Sequence, residues 1–203
     1  MARIVLGLDA DGVILDYLHG FMAYLRSTGV EPACGPDEVA DWEMTGALPG
    51  WSHDQVMAAV ADFSVHPDFG RIPAVPGAVD AVASIREELG DVELVAITSA
   101  GTSPDTARLR LQNLEPFGFD DVHVLPLGAS KKDHLSLLPK GSVFVDDLHR
   151  HVVAAEEAGV QGVLFRRPYN AAHSHANVIS CWPQGRLVVS RLLSSGREVA
   201  PAA

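Results

Sequence analysis

The run Ile4-Val5-Leu6-Gly7-Leu8 contains no polar side chain and stops abruptly at Asp9-Ala10-Asp11-Gly12. A strand with one wet face alternates apolar and polar residues, so an unbroken apolar run of this length means burial on both faces. Strands of that kind lie inside parallel sheets that carry helices on both sides. Asp9 therefore stands just past the end of a central strand, facing whatever lies beyond the sheet.

The rest of the chain supplies the helices and strands such a sheet needs. Leu18, Phe21, Met22 and Leu25 recur at i, i+3, i+4 and i+7, predicting an amphipathic helix that stops at Gly29. From Glu31 to Val75 the pattern breaks into short pieces punctuated by Pro32, Gly35, Pro36, Pro49, Gly50, Pro67 and Pro73, and reads as a small insert. Within it, Ser52-x-x-Gln55 is a capping box, in which each side chain satisfies a backbone N–H at a helix start. After Pro73 a regular rhythm returns. Helices are predicted from Pro76 to Leu89, from Pro104 through Leu111, from Asp133 to Leu138, from His149 to Ala158 and from Arg186 to Leu193. Strands are predicted at Val92–Ile97, Val122–Leu125, Ser142–Val145 and Gly162–Phe165. This alternation predicts an α/β fold with a doubly wound, mostly parallel sheet. The units are a core of residues 1–16 and 74–195, a helical insert at 17–73 and a flexible tail at 196–203.

The 203 residues are ample for a core that needs no staples, and Cys34 and Cys181 have no disulfide or zinc spacing, which points to a reducing, cytoplasmic setting. With 26 acidic against 15 basic side chains and a net charge of -11, the chain lacks the basic footprint of a nucleic-acid polymer binder. No apolar stretch approaches a membrane span. A monomer or homodimer acting on a small molecule is expected.

In an open parallel sheet, ligands bind beyond the carboxyl ends of the strands. Those ends carry Asp9 and Asp11, Thr98 and Ser99, and Asp146 and Asp147, while Lys131 and Lys132 precede the helix before the last pair. Crowded carboxylates repel one another unless a cation sits among them, so the set predicts a metal. All-oxygen ligands favour a hard ion, and Mg2+ suits a site completed by phosphate and water.

Asp9-x-Asp11-Gly12-Val13, Thr98, a lysine near 131 and Asp146-Asp147 resemble, in order, the four motifs of the haloacid dehalogenase-like (HAD) phosphohydrolases. The resemblance runs from the first strand to the last. It implies a Rossmann-like core with a small helical cap inserted between the first two motifs. It also implies Mg2+-dependent phosphomonoester hydrolysis in which Asp9 attacks phosphorus and Asp11 serves as acid and then base. Thr98 would hold the phosphoryl group, and Lys131 would hold Asp9 and phosphate, with Lys132 still open for that role. The metal would take Asp9, the backbone carbonyl of Asp11, Asp147, and Asp146 directly or through an intervening group. Asp11 separates the chain from the dehalogenases proper, and the absence of lysine between Tyr17 and Val75 separates it from the phosphonatases.

Asp41-Trp42-Glu43-Met44, His66-Pro67-Asp68-Phe69 and Arg167-Pro168-Tyr169-Asn170 are similar to segments of the 5'(3')-deoxyribonucleotidase branch. That narrower resemblance implies a nucleoside monophosphate substrate, with Ser99, Phe21, Trp42 and Phe69 as binding residues. The alternatives are a sugar-phosphate or other small-metabolite phosphatase or phosphomutase, and a non-catalytic metabolite-binding module. His149, His151, His173 and His175 read as surface histidines, Asp16 as a helix-starting residue, and Arg166-Arg167 equally as a phosphate contact or a cover for the sheet edge.

Overall fold

The computed structural model describes residues 4–199. Its centre is a six-stranded parallel sheet in the order β3-β2-β1-β4-β5-β6, built from β1 (Ile4–Leu8), β2 (Val92–Ser99), β3 (Asp121–Leu125), β4 (Val143–Asp146), β5 (Gln161–Phe165) and β6 (Val178–Ile179). The chain steps outward from β1 to β3, then returns to lay β4 on the other side of β1. The strand order thus reverses between β1 and β4, and a crevice opens beyond their carboxyl ends. This is the doubly wound α/β fold that the sequence predicts.

Side-chain alternation divides the core in two. Ile4, Leu6 and Leu8 join Leu94, Ala96, Val143, Val145 and Val163 on the face covered by α3 (Ala78–Leu89) and α7 (Trp182–Val199). Val5, Val95, Ile97 and Phe144 turn to the opposite face, where Leu135 of α5 (Lys132–Leu135) and Ala155 of α6 (His149–Glu157) meet them. Gly7 lies against Phe144: a Cβ there would stand 2.9 Å from the ring. Trp182, fully buried, donates its indole N–H to the carbonyl of Val13 at 2.8 Å and ties α7 to the turn that follows β1.

The insert leaves and rejoins the sheet as a paired stem, with Asp16 N–H on Pro73 O and Val75 N–H on Ile14 O, each at 2.8 Å. It holds α1 (Tyr17–Ser27), α2 (His53–Val65) and a 3-10 turn at Pro67–Arg71 that packs on α4 (Pro104–Leu114). The Ser52/Gln55 capping box opens α2 with bonds of 2.8 and 3.3 Å. Aromatic rings knit α1 to α2, with Phe63 5.6 Å from Phe21 and 5.1 Å from Tyr24.

The ends of several elements differ from the sequence reading. Pro76 precedes α3 instead of opening it, because Gly77, at φ 75°, makes the turn into the helix. α5 is a single turn ending before Pro139, which cannot continue it. β6, two residues long, is too short for periodicity to reveal. α7 starts four residues before the expected helix and continues through Val199, beyond the expected start of the tail. Gly196, buried, packs on the backbone of Gly141, and Arg197 donates to Leu89 O at 2.8 Å. The rest of the expected tail, 200–203, lies outside the described residues.

A Cβ at position 196 would run into the carbonyl oxygen of Gly141. Gly→Ala inside a helix ordinarily stabilises by up to ~1 kcal/mol. Here Gly196→Ala is expected to destabilise by about 1–3 kcal/mol through overpacking, measured as a lower urea midpoint.

Candidate active site

The crevice at the β1/β4 reversal collects the acidic residues. Asp9 follows β1, with its N–H on Val145 O at 2.9 Å, so backbone pairing across the switch holds its side chain beside Asp146. Asp9, Asp146 and Asp147 are all buried, and an oxygen from each lies within 4.8 Å of the others. Lys131, 3 % exposed, points its Nζ between them, 2.6 Å from Asp9 Oδ1 and 2.7 Å from Asp146 Oδ2. Lys131 therefore turns into the acidic group, while Lys132 points outward to Glu157 at 3.0 Å. The ring of Phe144 lies 5.5 Å from the Lys131 ammonium.

Burial raises the Asp9 carboxyl above its ordinary range; Lys131 opposes the rise and Asp146 adds to it. Asp147 is pushed up well beyond its usual value by burial, then by Asp146 and Asp9. Burial works against the charge on Lys131, yet Asp146 and Asp9 outweigh it and keep its pKa raised. Three carboxylates thus face one ammonium, and the group is short of positive charge.

The acids differ in how their oxygens are engaged. Asp146 Oδ1 accepts the Leu148 N–H at 2.7 Å while Oδ2 takes Lys131, so both oxygens have protein partners. Asp147 is gripped from its far side: Tyr169 donates its hydroxyl to Oδ2, and Asn170 Nδ2 bridges the carbonyls of Asp147 and Phe165 at 2.7 and 2.8 Å. Arg167 donates to Gly12 O at 2.7 Å, and Arg166 donates to Asn170 O and His173 O. Both arginines therefore brace the loops around the crevice. Gly12 is required where it stands, since its φ of 74° suits glycine and a Cβ would collide with Asp147 and Tyr169.

Asp11 is held by a residue that sequence patterning passed over. Arg110 of α4, with a side chain 0 % exposed, donates to Asp11 Oδ2 at 2.6 Å and stacks 4.5 Å from the centroid of Phe69. Burial raises the Asp11 carboxyl, Arg110 lowers it and Asp9 raises it, with a net upward shift. Asp11 Oδ1 is buried without a hydrogen-bond partner among the described residues. The signal for Arg110 lay in its register: it shares the inner face of α4 with Thr106, Leu109, Asn113 and Leu114, where an arginine is kept only if paired.

Thr98, at the end of β2, is fully buried and its hydroxyl has no partner among the described residues. A buried hydroxyl left so costs about 1–3 kcal/mol, which an incoming acceptor would recover. Its neighbour Ser99 donates to Ala129 O at 3.2 Å and lines a cavity of about 140 Å³ that begins at Asp9, Asp11, Lys131 and Asp147.

Trp42 and Phe69 line this cavity, Trp42 half exposed and edge-on to Tyr169 at 5.6 Å. Phe21, expected as a binding residue, does not. Its position on the inner face of α1 buries it completely beside Tyr17, Tyr24 and Phe63. The reading of surface histidines also needs correction at His151, which is buried on the inner face of α6, lines the cavity and accepts from Arg150 Nε at 3.0 Å. Burial and then Lys131 lower its pKa to about 4, so the ring is neutral at physiological pH. His149 stacks on His173 at 4.7 Å, outside this group.

No protein-family model and no curated protein sequence matches the chain. Solved structures do. A HAD-superfamily hydrolase of subfamily IA from Geobacter sulfurreducens shares 21% identity at a TM-score of 0.58, covering 93% of this chain and 96% of that one. The HAD hydrolase YfnB of Bacillus subtilis, bound to magnesium, shares 11% identity at a TM-score of 0.59, with coverages of 93% and 99%. CbbY of Rhodobacter sphaeroides, in complex with xylulose-1,5-bisphosphate, shares 16% identity at a TM-score of 0.52, with coverages of 89% and 95%. The first two of these neighbours are HAD hydrolases, and the likeness of all three establishes the fold. It does not single out the deoxyribonucleotidase branch.

The Arg110–Asp11 pair yields a stability test. Removing one partner of a buried ion pair strands the other, so Arg110→Met is expected to lower the unfolding free energy by about 3 kcal/mol. Combining it with Asp11→Asn should cost less than the sum of the two single changes, as a double-mutant cycle in urea would record.

Proposed function

We propose that the protein is a Mg2+-dependent phosphomonoester hydrolase that works through an aspartyl-phosphate at Asp9. The observation that carries this reading is the buried group of Asp9, Asp146 and Asp147 around Lys131 at the strand-order reversal. Its donors are all oxygen and it is short of positive charge, which fits a hard divalent ion, with Asp9 and Asp147 as direct ligands and Asp146 oriented by Lys131 and Leu148. Bound there, Mg2+ would offset the carboxylate charge and that of the phosphoryl oxygens. The magnesium-bound neighbour of the same fold supports this choice.

The chain's own groups account for the two displacements. A carboxylate oxygen of Asp9 attacks phosphorus, and the bond from phosphorus to the ester oxygen breaks. Asp11 gives its proton to the departing alkoxide. Water then attacks phosphorus, Asp11 takes the proton back, and the bond to Asp9 breaks to release inorganic phosphate. Arg110 holds Asp11 through Oδ2 alone, which leaves Oδ1, buried and unpartnered, to carry that proton. In this reading the Lys131 ammonium and the otherwise unpartnered Thr98 hydroxyl receive the phosphoryl oxygens. The insert at 17–73 serves as the cap over a catalytic core formed by 1–16 and 74–195.

The substrate we infer is a small phosphorylated metabolite in preference to a nucleotide; the bisphosphate-bound neighbour supports the size and the phosphate, not a particular alcohol. Two features behind the nucleotide reading have other roles here: Tyr169 and Asn170 secure Asp147, and Phe21 is core.

With Mg2+ present, the purified protein is expected to release phosphate from small phosphomonoesters. Asp9→Asn should reduce kcat by at least ~10³-fold while leaving the fold intact by circular dichroism, and EDTA should abolish turnover reversibly. Full activity in Asp9→Asn, or indifference to EDTA, would overturn the reading.

A further inference from the structure

The cavity joins the strand-end acids to a largely apolar lining. Beyond the acidic group its wall is Leu18 from α1, Val39 and Met44 from the loop that follows, and Val56, Met57 and Val60 from α2, with Phe69 and Trp42 beside them. Leu127 and Ala100 continue this surface on the core side.

Of the polar side chains among the lining residues, Asp41, Ser64, Ser99 and Tyr169 already have partners, whereas Asp11 Oδ1 and His151 Nδ1, beside the acidic group, have no hydrogen-bond partner among the described residues. Asp41 accepts from the Thr45 N–H and hydroxyl at 3.0 and 2.7 Å. Ser64 donates to Ala61 O at 2.7 Å and accepts from Thr106 at 3.4 Å. Ser99 is bonded to Ala129 O, and Tyr169 to Asp147. No lysine or arginine of the insert lines the cavity; the cations are Lys131 and Arg150, both from the core. Lys131 is held by two aspartates, and Arg150 stands three residues past Asp147 with its Nε on His151.

A substrate hydroxyl buried against Leu18, Val39, Met44, Val56, Met57 and Val60 would lose water and gain no side-chain partner from them, at about 1–3 kcal/mol each. A second charge would fare worse. An apolar group would gain roughly 25 cal/mol for each Å² removed from water. The cavity volume of about 140 Å³, its acidic end included, is close to the ~150 Å³ of a core cavity that admits benzene, which keeps the whole bound ester small.

Building on the phosphatase reading, we propose that the alcohol carried by the substrate is small, uncharged and apolar: an aryl-methyl or branched alkyl phosphomonoester, not a polyhydroxylated sugar, a carboxylated phosphate or a nucleotide. Val60 and Met57 of α2 set this preference, since they stand where a polar or charged side chain would convert the wall.

The test is a Mg2+-supported phosphate-release assay on the full chain with benzyl phosphate, isobutyl phosphate, ribose 5-phosphate, 2-phosphoglycolate and dUMP. All are alkyl esters, so leaving-group reactivity does not decide the ranking as it would with nitrophenyl phosphate. Benzyl or isobutyl phosphate is expected to exceed each of the other three in kcat/KM by at least ~10-fold. Val60→Lys should reverse the order toward 2-phosphoglycolate, lowering kcat/KM for benzyl phosphate by ~10-fold or more. Faster turnover of ribose 5-phosphate, 2-phosphoglycolate or dUMP than of both apolar esters would overturn the inference and leave the phosphatase reading standing. Val60→Lys acting equally on all five esters would also overturn it. Hydrolysis of none of the five would instead overturn the phosphatase reading, and the inference with it.

Discussion

One ammonium between two buried carboxylates organises the site. Lys131 reaches Asp9 and Asp146 at 2.6 and 2.7 Å from a position where an unpaired lysine could not remain charged. Its partners come from adjacent strands on opposite sides of the reversal in strand order, so the ion pairs join the two halves of the sheet where the fold leaves a crevice. Asp147 adds a third acid that Lys131 alone does not balance. That deficit in positive charge, created by the topology, is what suits the crevice to a cation, through which the proposed function would bring in a phosphate.

The surrounding contacts serve the same end. Phe144 packs beneath Lys131 because Gly7 leaves it room. Tyr169, Asn170 and Arg167, in the loop after β5, hold Asp147 and the turn at Gly12 in register. Arg110 joins α4 to Asp11 and, through Phe69, to the 3-10 turn of the insert. Asn113 strengthens that link by donating to Phe69 O. Asp11 thus belongs to a chain of contacts connecting the acidic end of the cavity with the insert that supplies much of its apolar lining.

Much of this was legible in the sequence because it rests on local rules. The apolar run before Asp9 marks a central strand, and repeated strand–helix alternation marks the parallel sheet, so the strand-end acids had to converge. Patterning could not say which lysine turned inward: Lys131 and Lys132 are neighbours, and only the approach of α5 to β4 separates them. Phe21 and Trp42 are both aromatic residues of the insert, yet helix register buries one and leaves the other at the cavity. Arg110 and His151 are polar residues on inner helix faces, and Asp11, the partner of Arg110, lies 99 positions away in sequence. Long-range pairing of that kind leaves no periodic trace.

The central claim is that Asp9 itself becomes phosphorylated. Borohydride reduces an aspartyl-phosphate to homoserine, so the protein can be quenched during turnover of its fastest ester with Mg2+ and mapped by peptide mass spectrometry. Conversion of residue 9 alone, dependent on both substrate and Mg2+, is the predicted result. Phosphate release with residue 9 unmodified, or conversion at another aspartate, would contradict the account.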